Sequence, residues 1–274
     1  MNRSRSFVLV NRTMTTALAS LGRSLWLLIV LILASASAGL AQGTSDYNKV
    51  EVYGGYSMGR IESSTSSLSF VDPGGETTTF SNLCSPETGE VLGPNSQKFF
   101  CKRRSFNGFD ASITYNVTRY IGIKADLTGH FKTDRFVDVF TPPGVTQTIS
   151  TRERLYNFLG GVQVKNNSQT ARFKPFAHAL VGVARLTARQ QQTLDLFPQF
   201  NFTAEDRETS LALKLGGGLD VRVSRRIDLR LIELDYNPMF AGDRSYKTIS
   251  GPFSFSSTGR TAHNFTFGAG IVIH

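Results

Sequence analysis

Four histidines, His130, His178, His263 and His274, are the residues in this chain best suited to moving protons near neutral pH. A hydrolytic site would set one of them beside a nucleophilic serine on one strand face, close to a carboxylate. His263 is followed by Asn264 and Phe265, with no serine two positions on. His130 shares its alternate positions with Asp126 and Lys132, again with no serine adjacent in sequence. A single histidine on a polar strand face is more commonly an interior hydrogen-bonding residue, and that role is expected here. Lys124 with Asp126, and Asp220 with Arg222, have the spacing of acid–base sets. Ions facing a narrow interior must also pair, because an unpaired buried charge is costly. The run Gly216-Gly217-Gly218 is not followed by the lysine-bearing helix of a phosphate loop. Asn116-Val117-Thr118, Asn201-Phe202-Thr203 and Asn264-Phe265-Thr266 fit a glycosylation triplet, but two of them lie inside alternating patterns. These residues assign no catalytic group, no metal site and no cofactor, so the expectation is a protein that is not an enzyme.

The first 41 residues carry Arg3, Arg5, Arg12 and Arg23 and no acid. They continue through an apolar run, 25–33, into small residues ending at Ala41. A basic segment, a short apolar run and small residues form a secretory leader. Cleavage is expected after Ala41, or else after Ala38. Nine apolar residues are too few for a helix crossing ~30 Å of hydrocarbon. Without residues 1–41 the formal net charge falls from +9 to +5, since four arginines go and no acid does. That balance, with no basic run interleaved with aromatics, gives no reason to expect nucleic acid as a partner. Cys84 and Cys101 are the two cysteines, and they lie in a stretch rich in Gly, Pro, Ser and Thr. Export implies an oxidising compartment, where such a pair closes. Zinc would need further ligands, and no histidine lies between them. A Cys84–Cys101 disulfide is therefore expected.

These groups must be positioned by strands. Beyond residue 41 the chain alternates with period two in eight segments: 50–58, 105–118, 120–132, 154–165, 173–186, 210–223, 227–236 and 263–273. Ile121, Ile123, Ala125, Leu127 and Phe131 oppose Gly122, Lys124, Asp126, Thr128, His130 and Lys132. Leu211, Leu213, Leu215, Leu219, Val221 and Val223 oppose Ala212, Lys214, Gly216, Gly218, Asp220 and Arg222. Alternation of this kind gives one apolar and one polar face. The segment 173–186 is apolar on both faces around His178, and 227–236 changes phase between Leu231 and Ile232, which suggests a bulge. Connections are alternately long and short. The long ones hold Pro73-Gly74-Gly75 with both cysteines, Pro142-Pro143-Gly144, Phe197-Pro198, and Gly251-Pro252. The expected fold is all-β: an eight-stranded antiparallel up-and-down barrel, residues 42–274, with four long surface loops.

Such a meander closes in two senses, apolar face inward as in a soluble lipocalin-like barrel or outward to lipid. Small residues mixed with charges suit the narrow lumen of eight strands. Tyr53, Tyr115, Tyr120, Tyr156 and Tyr236 lie near strand ends, where a membrane interface would want them. The transmembrane sense is expected. Lys124, Asp126, Lys214, Asp220, Arg222, Arg230 and Glu233 are then the expected lumen charge network.

The opening Val50-Glu51-Val52-Tyr53-Gly54-Gly55-Tyr56-Ser57 and the hairpin from Asn107-Gly108-Phe109-Asp110 through Asn116-Val117-Thr118 to Gly122 carry a family likeness. So do Lys174-Pro175-Phe176 with Gly182, Arg230 with Asp235-Tyr236, and the closing Gly268-Ala269-Gly270-Ile271-Val272-Ile273. The chain resembles the small outer membrane β-barrel family, OmpA/OmpX-like and opacity-protein-like, of the porin superfamily. The resemblance implies periplasmic termini, surface loops and location in the cell outer membrane. It implies outer membrane lipid and the barrel insertion machinery as partners, and a surface partner reached through the loops; with the sequence ending at the barrel, no peptidoglycan-binding domain is expected to follow. The family's last strand usually ends in an aromatic residue that the insertion machinery reads. Here it stops at His274, with Phe265, Phe267, Ala269, Ile271 and Ile273 outward. The role expected is structural or surface-interacting. A small-solute channel or a lipid-acting barrel enzyme is the alternative, and a soluble ligand-binding barrel the third.

Overall fold

The computed structural model describes residues 47–72, 74–88, 94–140, 144–250 and 254–274. The expected leader, its cleavage points and parts of three loop turns lie outside the described residues.

Eight strands close on themselves. They are β1 (Val50–Ile61), β4 (Arg104–Asn116), β5 (Ile121–Phe140), β6 (Val145–Lys165), β7 (Phe173–Leu194), β8 (Phe202–Arg222), β9 (Ile227–Phe240) and β12 (Thr261–Ile273). Each pairs antiparallel with its neighbour, and β1 pairs with β12 from Val52↔Ile273 to Arg60↔Phe265 to complete the barrel. Closure leaves the wall no free edge.

Adjacent residues decide the sense of the barrel. Ile123 is 59% exposed and Lys124 is 1% exposed. The same split runs round the wall, with the valines, leucines and phenylalanines outside and the charges inside. Along β7 the outward apolar positions run from Phe173 to Val183, and the next outward residue is the exposed Arg185. Ten residues at the usual rise and a barrel strand's tilt span roughly 25 Å, the height of a lipid belt. Arg152, Arg154 and Arg207 are exposed at the same level on neighbouring strands and mark that upper edge. No helix is long and apolar enough to cross a membrane among the described residues, and this barrel crosses with strands.

The phase change in β9 is a bulge. Leu231 and Ile232 both face out, and the pairing of β9 shifts register there against both β8 and β12. Arg230 and Glu233 therefore both point inward although they are three residues apart.

Two features differ from the sequence expectation. β5, β6, β7 and β8 run 20, 21, 22 and 21 residues, far longer than the periodic cores read from sequence. Rows of Thr, Val, Gln and Ile carry their hairpins past the membrane as continuous ladders, because β-branched residues suit pleated backbone. The outer two loops also form strands: β2 (Thr65–Val71), β3 (Thr77–Phe80), β10 (Arg244–Ser250) and β11 (Ser254–Gly259). They pair in the order β3-β2-β11-β10 and join the barrel where β10 meets β8. A short helix, α1 (Pro94–Cys101), lies in the first loop, and Cys84 is bonded to Cys101 at its end.

Candidate functional site

The lumen holds the densest set of reactive groups. Alternation turns every second residue of a strand inward, and the eight inward rows meet in three levels.

At the level of the short turns, Lys165 lies 2.9 Å from Glu51 and 2.8 Å from Asp220. Lys174 lies 2.8 Å from Asp228, and His274 Nε2 is 2.7 Å from the same carboxylate. The terminal histidine thus faces the lumen, and Ile273 beside it faces out at 54% exposure. Arg230 donates Nε to Asp220 at 2.8 Å and Nη1 to Glu233 at 2.9 Å. Its guanidinium is held between the rings of Tyr53 and Phe176, 4.0 and 4.1 Å from their centroids. Planar Arg is suited to such stacking. Tyr53 can lie across the lumen because Gly55 leaves it room: a Cβ there would stand 2.5 Å from the Tyr53 hydroxyl.

One level up, Lys124 is 3.3 Å from Glu233 and 3.4 Å from Asp126. Lys214 reaches Asp110 at 2.8 Å, Asp126 at 3.1 Å and Asp235 at 3.4 Å. His178 Nε2 stands 3.0 Å from Asp235. His178, Glu233 and Asp235 present three atoms close enough for a metal ion. Two ammonium groups already fill that role, Lys124 at 3.4 Å from His178 and Lys214 beside Asp235. A metal ion there would be a third cation in the cluster.

The third level is apolar. Ile61, Phe106, Leu155, Leu159, Leu180, Ala184, Ala212, Met239 and Ala262 form one buried cluster inside the barrel. An interior of polar side chains alone was expected, so this layer is new. Leu180 comes from 173–186, where both faces are apolar and period two cannot say which turns in, whereas Leu155 and Leu159 share the inward face of 154–165 with Asn157, Gln163 and Lys165.

Six of the seven expected network residues meet: Lys124, Asp126, Lys214, Asp220, Arg230 and Glu233. Arg222 does not. It lies at the last position of β8, partly exposed, where its Nε donates to the carbonyl of Ser224 at 3.3 Å. The wall ends there, and a long side chain at a rim turns to solvent. The expected network left out Glu51, Asp110, Lys165, Lys174, Asp228 and Asp235; His178 and His274 join it in the interior hydrogen-bonding role expected of such histidines. Each but His274, which follows β12, occupies an inward position of an alternating strand, and that position was the available signal.

One expectation about chemistry is corrected. Ser57 Oγ lies 3.0 Å from His130 Nε2, so a serine does adjoin this histidine, from the opposite side of β4. The pair has nucleophile–base spacing. Both side chains are sealed inside the barrel, and His130 Nδ1 has no hydrogen-bond partner to orient the ring. A nucleophile of this type needs an oriented base and access to substrate.

Fold and interior together define a transmembrane β-barrel with a filled lumen. No family model and no curated protein sequence matches the chain. Solved structures of small outer membrane barrels are similar to it. The attachment invasion locus protein Ail of Yersinia pestis is 10% identical, with 82% of this chain and 100% of that chain covered and a TM-score of 0.39. OprG from Pseudomonas aeruginosa is 13% identical, with 82% and 94% covered and a TM-score of 0.43. Neisserial surface protein A is 10% identical, with 84% and 99% covered and a TM-score of 0.34.

Proposed function

We propose that this protein is an outer membrane barrel with a structural or surface-interaction role, neither a channel nor an enzyme. The observation that carries the reading is the filled interior. Two levels of paired ions and one level of packed apolar side chains stand across the lumen. Eight strands give an interior just wide enough for such side chains to fill. Lipid is the partner of the outward belt. The insertion machinery would meet the closing strand, whose outward Phe265, Phe267, Ile271 and Ile273 supply its apolar area. An external partner would meet the paired loop strands.

Planar-bilayer recording tests the reading. The purified barrel, checked by its faster migration on an unboiled gel, is expected to give no stable single-channel steps. Large, regular steps would overturn the proposal and favour a small-solute channel.

A further inference from the structure

Above the apolar layer the inward faces of β6, β7 and β8 continue past the membrane edge. The loop strands β2, β3 and β11 and the helix α1 stand across from them, and a chamber of about 500 Å³ lies between. Pockets for small molecules commonly measure ~300–1,000 Å³. Its walls are aromatic and aliphatic: Phe70, Phe80, Phe99, Ile149, Phe202 and Phe255 line it. Phe202 and Phe255 lie 5.1 Å apart by ring centroids, and Phe70 and Phe80 6.0 Å. Gln147 Oε1, Thr151 Oγ1 and Ser257 Oγ of the lining have no hydrogen-bond partner among the described residues, but most of the wall is apolar, and filling it with apolar matter is favourable.

Most ionic groups of the lining are already matched. Arg104 holds Glu153 through two nitrogens and Asp134 at 3.1 Å, and its guanidinium rests 4.0 Å over the Phe99 ring. Arg244 reaches Asp206 and Glu208, each at 2.8 Å. Glu62 meets Arg260 at 3.5 Å and Arg103 at 3.6 Å. The Asp72 carboxylate accepts the Glu76 backbone N–H at 2.9 Å within its own turn. Arg189 is the exception: it is exposed at the rim with no ion pair among the described residues, since Glu205, opposite it in the β7–β8 ladder, is paired with Arg207. Below that rim a charged ligand would find no unpaired counter-ion, and its lost hydration would go uncompensated.

We propose that this chamber binds a small, uncharged, apolar molecule taken from the external medium. A lipid chain is a poorer occupant, because the chamber is on the inward face and the β6–β7 and β7–β8 ladders run unbroken along that wall. The floor is closed by Ile61 and the cluster beneath it, so the site retains its ligand and does not pass it on. The proposal rests on the filled-barrel reading only for that last point, and a binding measurement does not depend on conductance.

The test uses the barrel in phospholipid nanodiscs, free of detergent. The probes are N-phenyl-1-naphthylamine, which is uncharged, and 1-anilinonaphthalene-8-sulfonate, a related ring system with a fixed negative charge. The uncharged probe should bind saturably, one per barrel, above the signal from empty discs. The sulfonate should bind at least ten-fold more weakly. Ala204→Trp and Ile149→Trp each place a large ring in the chamber and should weaken the uncharged probe at least ten-fold, with unboiled gel mobility retained. Native mass spectrometry should find no retained phospholipid that the probe displaces. Equal binding by these variants, equal affinity for the sulfonate, or a displaced phospholipid would each overturn the proposal. The sulfonate comparison and the lipid measurement need only the unaltered chain, so a variant that misfolds does not shield the idea.

Discussion

Replacing Lys214 by Met is the sharpest test of the ionic lumen. Met keeps most of the side-chain length and removes the charge. Three carboxylates lose a partner, but unequally. Asp126 keeps Lys124 at 3.4 Å, and Asp235 keeps His178 at 3.0 Å. Asp110 keeps no cation within ion-pair distance among the described residues, and its side chain is only 3% exposed. Breaking a buried pair by removing one partner costs about 3–5 kcal/mol, because the other charge stays buried. Lys214→Met should therefore lie toward the upper part of that range. Arg230→Met should cost less charge imbalance, since Asp220 retains Lys165 and Glu233 retains Lys124. The assay is urea unfolding of barrels inserted in lipid vesicles, followed by loss of the compact unboiled band. Adding Asp110→Asn to Lys214→Met should recover about 1–3 kcal/mol, the coupling usual for residues in one network. Arg222→Gln, at the rim, should change stability by no more than about 0.5 kcal/mol. If Lys214→Met unfolds at the same urea concentration as Arg222→Gln, the account of the lumen is wrong.

Cys84→Ser should loosen the first loop by an amount on the order of 3 kcal/mol of chain entropy. The barrel should still shift on an unboiled gel, and free thiol in the non-reduced mature protein would contradict the bridge. Phe267→Asp with Ile273→Asp should prevent insertion into vesicles, since each charge on the lipid face costs up to ~2–4 kcal/mol, most at mid-depth. Insertion at the normal rate would show that β12 does not face lipid there. Asp195 accepts the backbone N–H of Thr146 and of Leu196, each at 2.8 Å, and these bonds hold its carboxyl below the usual range. A depressed folded value means the anchor is present above the unfolded value, near pH ~4, and is lost as pH falls through the folded one. The protection factor of the Thr146 amide, its exchange corrected for the intrinsic rate at each pH, should fall in acid, and Asp195→Asn should lower it at neutral pH. Identical protection in the two proteins at pH 7 would refute this role.

The barrel was legible because its period is short. Ile121, Ile123 and Ala125 against Gly122, Lys124 and Asp126 state which side chains share a face without reference to any other strand. The broken phase at Leu231 and Ile232 even marked the bulge. Partnerships across the lumen were less legible. Lys214 meets Asp110 from a strand 104 residues away, and which rows reach the same level depends on the stagger of all eight strands. Ser57 and His130 escaped notice for the same reason. The apolar layer was hidden because Leu180 lies in a stretch with apolar residues on both faces, and Leu155 and Leu159 share a face with Asn157, Gln163 and Lys165. The loops defeated periodicity altogether: 65–71 and 254–259 are short and rich in serine, and their pairing is a long-range event.

That last pairing bears on how the molecule is made. The strand Thr65–Val71 can hydrogen-bond to Ser254–Gly259 only after nearly the whole chain has been delivered. Contacts so distant in sequence form late, since the intervening segment must first be ordered. The cap over the barrel therefore forms late, together with the still longer-range closure of β1 on β12. A chain stalled after β9 would lack β10, β11 and the closing β12, leaving the chamber's phenylalanines unroofed and the outer edges of β1 and β9 unpaired, two marks of unfinished assembly that a protease would meet.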